Sequence, residues 1–269
     1  MARSDVHPVP ERCVVFPRRV LDLFAEQHGV VGLHQARAHL SANELRQFKR
    51  HPHVTRPTKR VFRHQAVPDS LGMQLILPVL DAPESVLWGR SGALWWGFGP
   101  DRDYPVHVGR VGATVHNALG RVHRLTTLDP IDVTVHRGIP IMRPERIILA
   151  LAADETRQIC PSRYRGRRDL SDEIVLAPAI HKMAAMLDHA WRLRIIDGPF
   201  LHAMYERLRG KGQAGTIVLR EILATRPPDY VPTDSRLEAR FEEIIAPSHR
   251  RLRRRVEIDD AVGRIGRVD

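Results

Sequence analysis

Residues 41–64 read SANELRQFKRHPHVTRPTKRVFRH, and this stretch decides the N-terminal fold. Ser41 followed three residues later by Glu44 is a capping box, in which hydroxyl and carboxylate satisfy the orphan amides at a helix start. Leu45 and Phe48 then supply the buried face of that helix, which turns Asn43, Arg46, Gln47 and Arg50 outward. Beyond it, residues 53–64 predict two short strands around Arg56-Pro57-Thr58, a basic hairpin. Arg46, Lys49, Arg50, Arg56, Lys59, Arg60 and Arg63 face the single acid Glu44, so over half of the chain's net +11 lies in this one segment.

Upstream, RRVLDLFAEQH (18–28) predicts an amphipathic helix burying Val20, Leu21 and Phe24 and ending at Gly29. LHQARAHL (33–40) places Leu33, Ala36 and Leu40 on one helical face. Helix, helix, helix and basic hairpin, over residues 15–67, is the order of a winged helix-turn-helix; residues 1–14 read as a loose tail. Such a unit places its third helix in a major groove, where Arg suits guanine O6/N7 and Asn or Gln suits adenine N6/N7. Arg56, Lys59, Arg60 and Arg63 then lie on phosphates or reach the minor groove, giving a double-stranded DNA interface of Ser41, Asn43, Arg46, Gln47, Lys49, Arg50 and these four. The plainer alternative is a solvated basic face on a protein-binding module.

Residues 68–228 read as an α+β middle domain. YPVHVGRV, GRVHRLT and IDVTVHRGIPIM alternate apolar and polar residues as half-buried strands do. RPERIILALAAD starts a helix near Pro144, and three more helical stretches follow near 178–193, 199–209 and 214–225. SRYRGRRDLSD (162–172) reads as a polar loop, and Arg226-Pro227-Pro228 as a linker. Past it, TDSRLEARFEEII carries a second capping box, Ser235 to Glu238, and HRRLRRR and a closing hairpin complete residues 229–269.

Composition bounds the function classes. The four lysines leave 38 of the 42 basic residues as arginine, which fits either a polyanionic partner or a GC-rich coding sequence. Cys13 and Cys160 are the only cysteines, so a disulfide framework or cysteine zinc site is not expected and a reducing cytoplasm is. MARSDVHPVPERC has no apolar signal core, and IILALAA and LGMQLILPVL are far short of a membrane span. The histidines, among them His34, His39 and the pair His51 and His53, form no H-E-x-x-H, and neither G-x-S-x-G nor a Walker loop occurs. GRSGALWWGFG (89–99) opens no phosphate cradle; Trp95 and Trp96 read as core and interface aromatics. No cofactor is expected.

The enzyme-like signal lies in VEIDDAVGRIGRVD (256–269). Mg²⁺-dependent nucleases hold metal with an Asp at a strand's end and a carboxylate on the adjoining strand. Asp269 and Glu238 could each supply one oxygen, but the sequence stops before a partner strand, so any catalytic or metal site is incomplete.

VLDLFAEQHGVVGLHQARAHLSANELRQFKRHPHVTRPTKRVFRH resembles the winged-helix domain of AbiEi-type antitoxins, from type IV abortive-infection toxin–antitoxin systems. RVHRLTTLDPIDVTVHRGIPIMRPERIILALA is similar to the second domain of their actinobacterial relatives, with Ile148 and Ala150 departing from the usual TLLD. RPPDYVPTDSRLEARFEEI and VEIDDAVGRIGRVD resemble the start of a very-short-patch-repair-like endonuclease domain. The resemblance implies a DNA-binding antitoxin or autorepressor, sometimes paired with a nucleotidyltransferase toxin. It also implies that Asp269 matches the first metal-binding carboxylate of a PD-(D/E)XK-type nuclease, whose continuing E-x-D or E-x-K strand is absent here. The alternative is then an Mg²⁺-dependent DNA endonuclease, or a subunit of one, whose site another chain completes.

Overall fold

The computed structural model describes residues 16–100, 105–112, 115–159, 171–209, 215–232, 256–260 and 263–268, with side chains described as far as residue 232 apart from 171–174. The chain is mixed α+β and divides into two compact units, Met1–Asp229 and Tyr230–Asp269.

The first unit opens with helix α1 (Arg18–Glu26). Val20, Leu23 and Phe24 recur at helical spacing and turn to the core, so Leu23 takes the place expected for Leu21. Leu21 lies a third of a turn away and stays 43% exposed. The helix ends as the sequence predicts: Gly29, at φ +79°, donates its amide to the carbonyl of Phe24 at 2.7 Å. A Cβ there would meet Val67 at 2.6 Å.

Strand β1 (Val30–Gly32) follows and is not foreseen from the sequence. Its three residues are all buried, so they show no alternation, and so short a run carries no period of its own. Helices α2 (Leu33–His39) and α3 (Ala42–Arg50) come next, then β2 (Val54–Thr58) and β3 (Val61–His64). The three strands form an antiparallel sheet in the order β1-β3-β2. The expected hairpin turn at Arg56-Pro57-Thr58 falls instead at Lys59–Arg60, because Thr58 pairs with Val61. Pro57, which has no N–H to give a ladder, sits where the β2–β3 register shifts, on the outer strand. Val20, Phe24, Val31, Ala36, Leu40, Phe48, Val54 and Phe62 form one buried cluster under these elements, with Phe16, Leu23, Leu33 and Leu45 packed against it.

Helix α4 (Leu71–Asp81), capped by Ser70, leads into a second sheet. Its strands are β4 (Val86–Leu87), β5 (Val106–Val111), β6 (Gly120–Leu125), β7 (Val133–His136) and β8 (Ile139–Met142). Their order is β6-β5-β4-β8-β7, with β4–β8 and β5–β6 parallel and the other pairs antiparallel. Helix α5 (Gly89–Trp96) lies between β4 and β5 in the chain. Its two indoles pin it to the β7–β8 hairpin: Trp95 Nε1 donates to the His136 carbonyl and Trp96 Nε1 to that of Met142, each at 2.9 Å.

The β7–β8 turn places Arg137 (φ +49°) and Gly138 (φ +78°) in left-handed conformations, the pattern of a tight two-residue hairpin. Helices α6 (Pro144–Ile159), α7 (Ser171–Arg192), α8 (Gly198–Arg209) and α9 (Thr216–Leu223) complete the unit. Pro144 is the first residue of α6, as its fixed φ and absent N–H favour. The arginine-rich stretch from residue 162 lies outside the described residues up to 170, and Ser171 and Asp172 already belong to α7.

The sequence-defined stretches 15–67 and 68–228 share this one unit and are joined by hydrogen bonds. Thr58 Oγ1 donates to Asp81 Oδ1 at 2.5 Å, and Arg60 Nη1 donates to the Asp81 carbonyl at 3.1 Å. His28 Nε2 lies 2.9 Å from the Arg137 carbonyl.

In the second unit, β9 (Val256–Asp260) and β10 (Gly263–Val268) pair antiparallel, with a register shift between Arg264 and Gly266. Glu238 and Asp269 lie outside the described residues. Among the described residues no helix is long and apolar enough to cross a membrane.

Candidate nucleic-acid interface

Helix α3 is fixed in two ways, by a cap at its N-terminus and by an aromatic anchor beneath it. Ser41 N donates to Glu44 Oε2 at 2.8 Å and Glu44 N donates to Ser41 Oγ at 3.3 Å, the reciprocal pair expected from the sequence. The hydroxyl and then the amide of Ser41 hold the Glu44 carboxyl below the ordinary glutamate range, so the cap stays ionised at neutral pH. Underneath, Phe48 meets Phe62 edge-on with ring centroids 4.9 Å apart and packs against Phe16 and Phe24. Buried Phe48 and half-buried Leu45 fix which face is left over. Asn43, Arg46, Gln47 and Arg50 are all exposed on it, while Lys49 is half-buried.

The basic side chains of this region are not equivalent. Arg46 makes one long bond, Nε to the Ala42 carbonyl at 3.4 Å, within its own helix. Arg56 bridges the hairpin turn through Nη2 to the Lys59 carbonyl at 2.9 Å and sits 5.3 Å from the Phe62 ring centroid. Arg60 reaches back to Asp81. Arg63 is the most committed: it pairs with Asp69 at 2.9 Å and donates to the Val67 carbonyl at 3.2 Å. Lys49, Arg50 and Lys59 make no side-chain hydrogen bond or ion pair among the described residues.

At the base of the hairpin His51, His53, His64 and Phe16 form a small aromatic stack. His53 N donates to His51 Nδ1 at 3.2 Å, and the His53 and His64 rings stack at 6.2 Å. Burial, then the neighbouring His53 and His51, push the His64 imidazole below its usual range. Among the described residues no group of three or more His, Cys, Asp or Glu is placed to hold a metal ion.

No known protein-family model matches the chain, and no curated protein matches it.

The geometry brings together the outward row of α3 and the cations of the β2–β3 hairpin on one N-terminal substructure. Its chemistry is that of guanidinium and ammonium donors together with carboxamides, which both donate and accept, with Glu44 turned into the helix cap. One ionic group escapes sequence reasoning. Asp132, 2% exposed, pairs with Arg207 and lies 3.7 Å from the Nε of Arg146, which is 4% exposed. Arg207 also holds Asp129 at 3.2 Å. The one signal for it is weak: Arg146 interrupts an apolar run in a helix that is buried nearly all round, where an unpaired charge is costly.

Proposed function

We propose that this chain is a DNA-binding transcriptional regulator of the kind the AbiEi-type antitoxins exemplify, repressing its own operon. The N-terminal substructure is read as a winged helix, with α3 in the major groove and the β2–β3 hairpin along the backbone. One observation carries this reading: Asn43, Arg46, Gln47 and Arg50 are exposed together on a capped, core-anchored helix beside a basic hairpin. Arg and Asn or Gln are the side chains that match base edges bidentately.

Gel-shift or anisotropy titration against the DNA upstream of its own gene tests the reading, with an unrelated duplex as comparison. Arg46→Ala or Arg50→Ala, each removing one base-edge partner, lowers the preference for the operator by ~1–3 kcal/mol. Equal, salt-insensitive binding to both duplexes, or none to either, refutes it. Association with a nucleotidyltransferase toxin in the absence of DNA binding would instead favour a purely protein-binding module. The reading requires no cofactor. The nuclease alternative rests on Glu238 and Asp269, outside the described residues, and no observation on the described ones favours it.

A further inference from the structure

A cleft of about 120 Å³ opens beside the second sheet, between the end of β6 and helix α6. Trp88, His123, Arg124, Arg146 and Arg157 line it, and among the described residues no carboxylate does. Its cations differ in how they are held. Arg146 has a side chain only 5% exposed, yet its guanidinium makes no hydrogen bond among the described residues. Its nearest acid, Asp132, lies 3.7 Å from Nε, beyond hydrogen-bond reach, and already has Arg207 as a partner. Trp88 faces the guanidinium with its ring centroid 5.8 Å away and gives it no acceptor. A guanidinium carries five donors, and those of Arg146 are not sealed away from solvent. The space that remains for an acceptor is the cleft.

The other two arginines sit at its rim. Arg124, on β6, is exposed and has no partner among the described residues. Arg157 is exposed and pairs with Asp154 at 2.6 Å. Three guanidinium groups around a space whose described lining has no acid suit a compact, multiply charged oxyanion, because each planar fork can bind two oxygens. The volume holds several water molecules but falls well below the roughly 300–1,000 Å³ of sites that enclose a whole small molecule. The occupant therefore enters by one small charged group.

We infer that this cleft binds a phosphoryl group, either free phosphate or the end of a small phosphomonoester, with Arg146 donating from within and Arg124 and Arg157 from the rim. The site is separate from α3 and the hairpin and stands whether or not the chain binds DNA. Isothermal titration of the full chain with inorganic phosphate, and separately with ribose 5-phosphate, tests it. The wild type binds both when the phosphoryl group alone is recognised; a tighter fit for ribose 5-phosphate assigns the site to a phosphomonoester, and binding of phosphate alone assigns it to the free ion. The double variant Arg124→Ala/Arg157→Ala changes only exposed positions, so it keeps the fold, and it weakens binding roughly tenfold or more. Arg146→Lys keeps the charge and removes the fork, and it weakens binding as well. No detectable heat from either ligand at millimolar concentration, or wild-type affinity in the double variant, overturns the inference.

Discussion

The hairpin cations offer a graded test, because the structure distinguishes those already engaged from those that are not. Lys59, at the turn, has no side-chain partner among the described residues, whereas Arg63 is held by both Asp69 and the Val67 carbonyl. If the hairpin lies on DNA phosphates, only a cation that meets a phosphate contributes to counterion release. Each such cation adds about 0.9 to the slope of log K against log salt. Lys59→Ala is therefore expected to flatten the slope by about 0.9, which is roughly a 3.5-fold smaller drop in affinity between 50 and 200 mM salt. At about 0.1 M salt the same phosphate pairing is worth roughly eightfold in affinity if the salt term vanishes near 1 M. Arg63→Ala, by contrast, leaves the slope within about 0.3 of wild type, because its guanidinium is spent on intramolecular oxygens. Fluorescence anisotropy on a duplex of about 20 base pairs at several potassium chloride concentrations measures both. Equal slope changes for the two variants, or a slope indifferent to Lys59, refute the assignment of the hairpin to the backbone.

Three further outcomes concern the fold that presents this surface. Ser41→Ala removes one half of the α3 capping box and costs about 0.5–2 kcal/mol, read from urea denaturation. Asp188→Ala strips the bidentate partner from Arg226, held at 2.7 and 2.8 Å, and costs about 2–4 kcal/mol; a change below about 0.5 kcal/mol would show that the pair does not tie the end of the first unit to α7. Glu145 is 2% exposed, with Oε1 accepting from Asp197 N at 2.9 Å and Oε2 buried without a partner. Burial holds its carboxyl above the ordinary glutamate range despite that bond. Its contribution is thus complete below the unfolded-state pKa and is lost as pH rises through the raised folded one. Stability measured from about pH 4 upward should show this decline in the wild type and not in Glu145→Gln.

How much of the fold and the interface is legible in the sequence depends on whether a residue's role is local. The Ser41–Glu44 cap, the Gly29 stop and the Pro144 start are decided by neighbours within a turn, and the structure has all three. Leu21 shows the limit of reading apolar letters without their phase: Val20, Leu23 and Phe24 share a face, and Leu21 does not. Strand β1 is hidden because its partner, β3, lies some thirty residues on, and only that pairing makes so short a segment a strand. The turn at Lys59–Arg60 is masked by Pro57, which looks like a turn residue, whereas an outer strand with a register shift accommodates it. The exposed set on α3 is readable, being what the buried face leaves over. The engagement of Arg60 and Arg63, and the seclusion of Arg146, depend on Asp81, Asp69 and Trp88, which nothing in the local sequence connects to them.

The bonds from Thr58 and Arg60 to Asp81 bear on how tightly a partner can be held. A hairpin that swings freely in solution must give up that freedom on docking, at roughly 0.5–1.5 kcal/mol for each long side chain immobilised. Here both ends of the Lys59–Arg60 turn are already fastened to the last residue of α4, and that ordering is complete before any encounter. Asp81→Ala removes the Thr58 half of this tether and keeps the backbone carbonyl that Arg60 uses, so it would leave the cationic chemistry of the hairpin intact and still weaken binding, with the deficit appearing as conformational entropy rather than as enthalpy.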